Sequence, residues 1–169
     1  MFRRIFVRSM RGLCILTAVL LATHASAYER FVSPNGKFEA YTTAHWPDGT
    51  GMKLFLRRAG ARDAGALLKE NNRWIDAKWS PDSRFLAVID HLDGHISDVY
   101  VFGVASADAA PTLLYHTPNL RTYDVKREVT GWDIARREIV LRKDVKHEGP
   151  GRITHEKVVA RIGTKPLRF

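Results

Sequence analysis

Two stretches of this chain open in the same way. Val32-Ser33-Pro34-Asn35-Gly36-Lys37-Phe38 is matched 47 residues later by Trp79-Ser80-Pro81-Asp82-Ser83-Arg84-Phe85. In both, proline fixes φ at the start of a tight turn, and Asn or Asp followed by Gly or Ser completes it. A degenerate third copy starts at Trp132, 53 residues further on. There Trp132-Asp133-Ile134-Ala135-Arg136-Arg137-Glu138-Ile139 keeps the frame without the proline. Strand-built units recurring at roughly 40–50 residues cannot bury their apolar faces alone and must stack on one another.

The residues after each turn have the pattern of strands. Lys37–Thr43 alternates Phe38 and Ala40 with Glu39 and Tyr41, and Met52, Leu54 and Leu56 alternate with Lys53, Phe55 and Arg57. Phe85–Ile89 and Val99–Val104 are short continuous apolar runs, as expected of strands covered on both faces. Glu156, Val158, Ala160 and Ile162 alternate with His155, Lys157, Val159 and Arg161. Each copy continues alike, with a second strand at Met52–Arg58, Ile96–Val104 or Ile153–Ile162. The first two copies add a short strand at Ala66–Glu70 and Thr112–His116. Ala61–Lys69 offers the one helical turn, and Gly65 argues against a long one. The expected fold class is all-β, in antiparallel blade-like sheets.

The segment Trp79-Ser80-Pro81-Asp82-Ser83-Arg84-Phe85-Leu86-Ala87-Val88 resembles the blade signature of TolB-type, WD-repeat-like β-propellers, and Ser33–Ala40 is a weaker instance of it. The resemblance implies an exported interaction scaffold. It assigns no catalytic residue, because propeller blades host many functions. Propellers close with about 4–8 blades, and this chain has room for about three. The expectation is an incomplete β-propeller or an open twisted sheet stack. A strand from Tyr28–Val32 would seal part of the arc, or several copies would complete a ring.

The N-terminus points to export. Arg3, Arg4, Arg8 and Arg11 precede an apolar run from Leu13 to Ala22, and Ala25-Ser26-Ala27 supplies the small residues a signal peptidase accepts. The run is short for a membrane span, which takes roughly 20 residues. Residues 1–27 are therefore expected to be a signal peptide, and 28–169 a single β-repeat domain in a periplasm or secreted. The pair Arg3-Arg4 resembles a twin-arginine signal, but Phe2 stands where Ser or Thr is usual, which suits the general secretory route better. Cys14 leaves with the signal, so disulfides and thiolate metal sites are excluded. The net charge of +9 falls to +5, carried as −1 over Tyr28–Leu120 and +6 over Arg121–Phe169. Such a surface favours another envelope protein or an anionic envelope polymer as partner. Nucleic acid is not expected, since the cations are dispersed among strand positions rather than clustered with stacking aromatics.

Each copy also carries a His beside an acid-Gly step in the loop between its strands: His45-Trp46-Pro47-Asp48-Gly49, Asp90-His91-Leu92-Asp93-Gly94-His95, and His147-Glu148-Gly149. Imidazole with carboxylate suits zinc or another divalent ion. Asp-Gly is equally the chemistry of a hairpin turn. The candidate ligand-binding residues are thus Trp46, Asp48, Asp90, His91, Asp93, His95, His147 and Glu148, with His91, His95 and Asp93 the candidate metal ligands. No cofactor is implied. Trp79 and Trp132 hold equivalent repeat positions and are expected in the core. No nucleophile elbow, Ser-x-x-Lys pair or phosphate loop is present. The leading expectation is a non-enzymatic exported binding or scaffold module. The alternatives are a metal- or ligand-dependent hydrolase-type enzyme using the His/acid loops, and a homo-oligomeric structural protein.

Overall fold

Each proline turn closes a hairpin, and each hairpin begins a sheet. The structure, a computed structural model, describes residues 29–44, 51–106, 110–117, 124–147 and 152–167. Ser33 N donates to Phe38 O at 2.9 Å and Gly36 N to Ser33 O at 2.8 Å, while Ser80 N to Phe85 O and Ser83 N to Ser80 O repeat the pattern, both at 2.9 Å. The serine hydroxyls fasten both corners, accepting from Phe38 N and from Phe85 N at 2.9 Å. They in turn donate to Asn35 Oδ1 at 2.8 Å and Asp82 Oδ1 at 2.6 Å. Gly36 and Ser83 take the positive φ that each bend requires, 68° and 62°. The third turn is built differently. Asp133 Oδ1 accepts from Arg136 N at 3.1 Å, and the left-handed residue is Arg137, φ 56°. A side-chain cap thus replaces the missing proline.

The first sheet is β1 (Arg30–Val32), β2 (Phe38–Ala44), β3 (Met52–Arg58) and β4 (Ala66–Asn71). The second is β5 (Trp74–Trp79), β6 (Phe85–His91), β7 (Ser97–Gly103) and β8 (Thr112–His116). The third is β9 (Asp124–Asp133), β10 (Glu138–Lys146) and β11 (Ile153–Arg161). Every strand pairs antiparallel with its neighbour in sequence, so each sheet is a simple meander, and none closes into a barrel. The chain is all-β, an open stack of three sheets.

Two sequence expectations are corrected. Ala61–Lys69 makes no helical turn: a turn closes at Ala61 N to Arg58 O, 3.1 Å, and β4 starts at Ala66. Gly65, at φ +70°, threads the chain past β3 so closely that a Cβ there would lie 2.1 Å from Leu56 O. The N-terminal strand does not seal an arc either. β1 pairs with β2 as the first strand of its own sheet, Phe31 facing Ala40; Tyr28 lies outside the described residues.

The second sheet is the middle layer, buried on both sides. One face (Ile75, Ala77, Trp79, Leu86, Val88, Phe102) packs on Phe38, Ala40, Leu54 and Leu56 of the first sheet. The other (Phe85, Ala87, Ile89, Val99, Val101) packs on Val129, Ile139 and Leu141 of the third. This is why Phe85–Ile89 forms a continuous apolar run. The repeat is visible in the contacts between layers: Phe38 stacks on Trp79 at 6.2 Å between centroids, and Phe85 on Trp132 at 6.3 Å. Trp79 Nε1 donates to Phe31 O at 2.8 Å, whereas the buried Trp132 Nε1 finds no acceptor among the described residues.

Candidate functional site

At the end of the stack opposite the proline turns, the apolar interior gives way to charge. Asp90 in β6 and Asp98 in β7 face each other in register and are each only 1% exposed. Both point towards the first sheet, the side on which Val88 and Tyr100 also lie. β4 reaches over them. Lys69 Nζ pairs with Asp90 Oδ2 at 2.9 Å, off the direction of a good hydrogen bond, and Asn71 Nδ2 donates to Asp90 Oδ1 and, at 2.9 Å, to His91 O. Lys69 also lies over the Tyr100 ring, 4.7 Å from its centroid, and that ring stacks on His116 at 4.2 Å. On the far side, Arg127 of β9 donates through Nη1 to Asp98 Oδ1 at 3.2 Å and to Ser97 O at 2.8 Å. Thr117 Oγ1 and His116 Nε2 complete the surroundings of Asp98, at 3.4 Å and 3.8 Å.

A buried carboxylate survives only with a cation and hydrogen bonds, and each aspartate has both. Burial works against the Lys69 charge, yet the Asp90 carboxylate outweighs it and holds the Lys69 pKa above its usual value. Burial pushes His116 down, aided by Lys69 and Arg127 and opposed by Asp98. Tyr100 is pushed up by burial, against the pull of Lys69. The cluster joins all three sheets and balances two acids with two cations.

At the same end of the second sheet lies a shallow cleft of about 410 Å³, lined by Arg73, Trp74, His91, Asp93 and Gly94. Trp74 is 46% exposed there. Burial lowers the His91 pKa, as does Lys126, against Asp76 and Asp90. A second cleft, of about 550 Å³, sits at the turn end between Asn35–Phe38 and Asp82–Arg84.

The described candidate residues are not brought together in one group. Asp90 faces one side of β6 and His91 the other, as strand alternation requires. The Asp93 carboxylate accepts from His95 N at 2.6 Å and Ile96 N at 2.7 Å, which lowers its pKa and caps the hairpin at the rim of the cleft. Among the described residues no group of three His, Cys, Asp or Glu is placed to hold an ion. His147 is exposed at the end of β10 and shares a hydrogen bond with Thr154 Oγ1 at 3.0 Å. Trp46, Asp48 and Glu148 lie outside the described residues. Trp79 is in the core, as expected, and Trp132 is partly buried beside it in the next layer interface.

The residues that the sequence alone does not reveal are Lys69, Asn71, Asp98, Tyr100, His116 and Arg127. One signal was available: Asp98 adjoins an apolar strand, and a carboxylate there needs a buried partner. Which partner, only the stacking of the sheets decides. Compared with known families, the chain matches no family model, and a comparison with curated proteins found no match.

Proposed function

We propose that this chain is an exported, non-enzymatic binding module of a bacterial envelope, built from propeller-type blades, with another envelope protein or an anionic envelope polymer as its partner. The observation that carries this reading is the self-contained charge cluster. Its two aspartates are 1% exposed and each is already held by a cation from a neighbouring sheet. A general acid or base needs access to the proton it moves, and these groups are spent on joining layers. What reaches solvent instead is recognition surface: the Trp74–His91 cleft and the basic third sheet. The signal-like N-terminus and the repeated Ser-Pro turn support the same reading.

The test is expression of the full chain in a bacterial host. Fractionation should place it in the envelope, with a mass that begins at Tyr28, and crosslinking there should trap a heterologous partner. Retention of residues 1–27 in the cytoplasm, or crosslinks to itself alone, would defeat the proposal. So would near-stoichiometric zinc that disappears on changing His91 and His95 to Ala.

A further inference from the structure

Among the described residues the third sheet has three strands where the other two have four. In the first sheet β4 pairs with β3, and in the second β8 pairs with β7. The equivalent edge in the third belongs to β11, and among the described residues no strand pairs with it. The chain after β11 does not turn back to fill the gap. It crosses to the second sheet, where Gly163 N donates to Leu114 O at 3.3 Å and Leu167 N to Leu113 O at 2.9 Å. β11 is nine residues long and keeps an unbroken register against β10, from Ile153 facing Lys146 to Arg161 facing Glu138.

The hydrogen-bond pattern shows which groups this edge leaves free. Ile162 N donates to Arg137 O at 2.7 Å and His147 N to Arg152 O at 3.1 Å, so the pairs at both ends of the register are of the non-hydrogen-bonded kind. The N–H and C=O groups of Thr154, Glu156, Val158 and Ala160 therefore turn towards β10. Those of Ile153, His155, Lys157, Val159 and Arg161 turn outward. Unpaired edges recruit strands, and charged side chains decide which. Ile153 and Val159 are each 51% exposed on the outer face. Between and beside them stand Lys157 and Arg161, exposed and without an ion pair among the described residues. The nearby acids are engaged elsewhere: Glu156 by Lys143 at 2.9 Å, Asp144 by His155 at 2.7 Å and Glu128 by Arg142 at 2.6 Å.

We infer that β11 is a docking edge for an extended segment of another protein, which adds as the missing fourth strand and carries acids opposite Lys157 and Arg161. An antiparallel guest would place an acid, three apolar residues and a second acid against Arg161, Ala160, Val159, Val158 and Lys157. That is five residues, the length of β8. A second copy fits poorly. Two-fold pairing of β11 with itself keeps side chains of like parity opposite. Its central registers set Lys157 against Lys157, His155 against Lys157, or His155 against Arg161. This inference takes only its type of partner from the binding-module reading. The experiment reads the edge directly, so a chain found in the wrong compartment would leave it standing.

The probe is a fluorescein-labelled peptide with a glutamate, three valines and a glutamate at its centre, followed by anisotropy on the purified full chain. A lysine-flanked peptide is the control. Reversing both charges, Lys157→Glu with Arg161→Glu, should weaken the acidic peptide by about two- to thirtyfold for two exposed cross-strand pairs and create affinity for the lysine peptide. Val159→Pro should abolish binding while sparing the bonds to β10, because it removes an outward N–H. If that variant misfolds, the charge exchange stands alone. In the free protein, the amides of residues 155, 157, 159 and 161 should exchange hydrogen fast and those of 154, 156, 158 and 160 slowly. Equal binding of both peptides, or of neither, overturns the inference. Protection of the outward amides also overturns it, because the edge would then hold a second copy (a dimer in sedimentation) or another segment of this chain.

Discussion

Replacing Arg127 with methionine tests whether the charge cluster holds the layers together. Arg127 is 5% exposed, and its Nη1 serves both Asp98 Oδ1 at 3.2 Å and Ser97 O at 2.8 Å. Methionine keeps much of the volume and removes the charge. Asp98 is then left with Thr117 and the more distant His116 in a site it cannot leave. Breaking a buried pair from one side costs about 3–5 kcal/mol, a fall in Tm on the order of 10 °C for a chain of this size. The penalty should depend on pH. Folded His116 lies below its ordinary value of 6.5, so the unfolded chain takes up that proton first. Its contribution to stability is complete above 6.5 and is lost as pH falls through that value towards the folded one. In the variant one of the charges that lowers His116 is gone, and a protonated imidazole 3.8 Å from Asp98 Oδ2 replaces part of the lost cation. Urea titrations from pH 8 to pH 5 should therefore show the gap between wild type and variant narrowing below about pH 6. Adding Asp98→Asn to Arg127→Met should restore much of the loss, since no unpaired charge remains. A loss under about 1 kcal/mol, a gap constant with pH, or no recovery in the double variant would refute the account.

The repeat makes two further outcomes testable. Trp79→Phe should cost about 1 kcal/mol more than Trp132→Phe in urea unfolding, because only the former breaks an indole hydrogen bond; equal losses would mean that the bond to Phe31 O contributes nothing. Gly36 and Gly65 share a positive φ, but a Cβ at Gly36 meets nothing within 4 Å. Gly36→Ala should cost about 1–2 kcal/mol from backbone conformation alone, whereas Gly65→Ala must displace the β3 backbone and should prevent cooperative folding. Thermal melts of the two variants would separate them.

The strands after each turn were legible because apolar side chains fall wherever a face is covered, alternately in β2 and continuously in β6. β9 was not, since its inward row of Val125, Arg127 and Val129 places a guanidinium where a strand pattern expects an apolar side chain. The fourth strand of the first two sheets was legible from composition, and the third copy offered no counterpart, just as the third sheet has none among the described residues. The site was legible only in part. Asp90 and His91 were grouped because they are adjacent, but adjacency in a strand sends side chains to opposite faces. Lys69 and Arg127 reach the two aspartates from different sheets, and nothing local in either segment announces a buried carboxylate on its way.

The two outer faces of the stack explain why the incomplete element is an edge. The first sheet ends its outer side with Tyr41 stacked on Phe55 at 5.5 Å, under Arg57, which is 4.2 Å from the Tyr41 centroid and 2.6 Å from Glu39 Oε1. Ala64 O accepts from the Tyr41 hydroxyl at 2.9 Å, drawing the preceding loop over that face. The third sheet ends its outer side with Arg142 between Glu128 and Asp144, at 2.6 Å and 3.3 Å. Terminal units of a stack need such polar finishes to stay soluble. A ring made by adding copies face to face would have to desolvate both sets of ion pairs in order to cover Ile153 and Val159 on the outer face of the third sheet. Pairing along β11 from Lys157 to Arg161 leaves the Arg142 pairs in place and satisfies the outward N–H groups of residues 157, 159 and 161, which β10 does not reach. The geometry therefore permits growth sideways, by one strand, far more readily than growth by another layer.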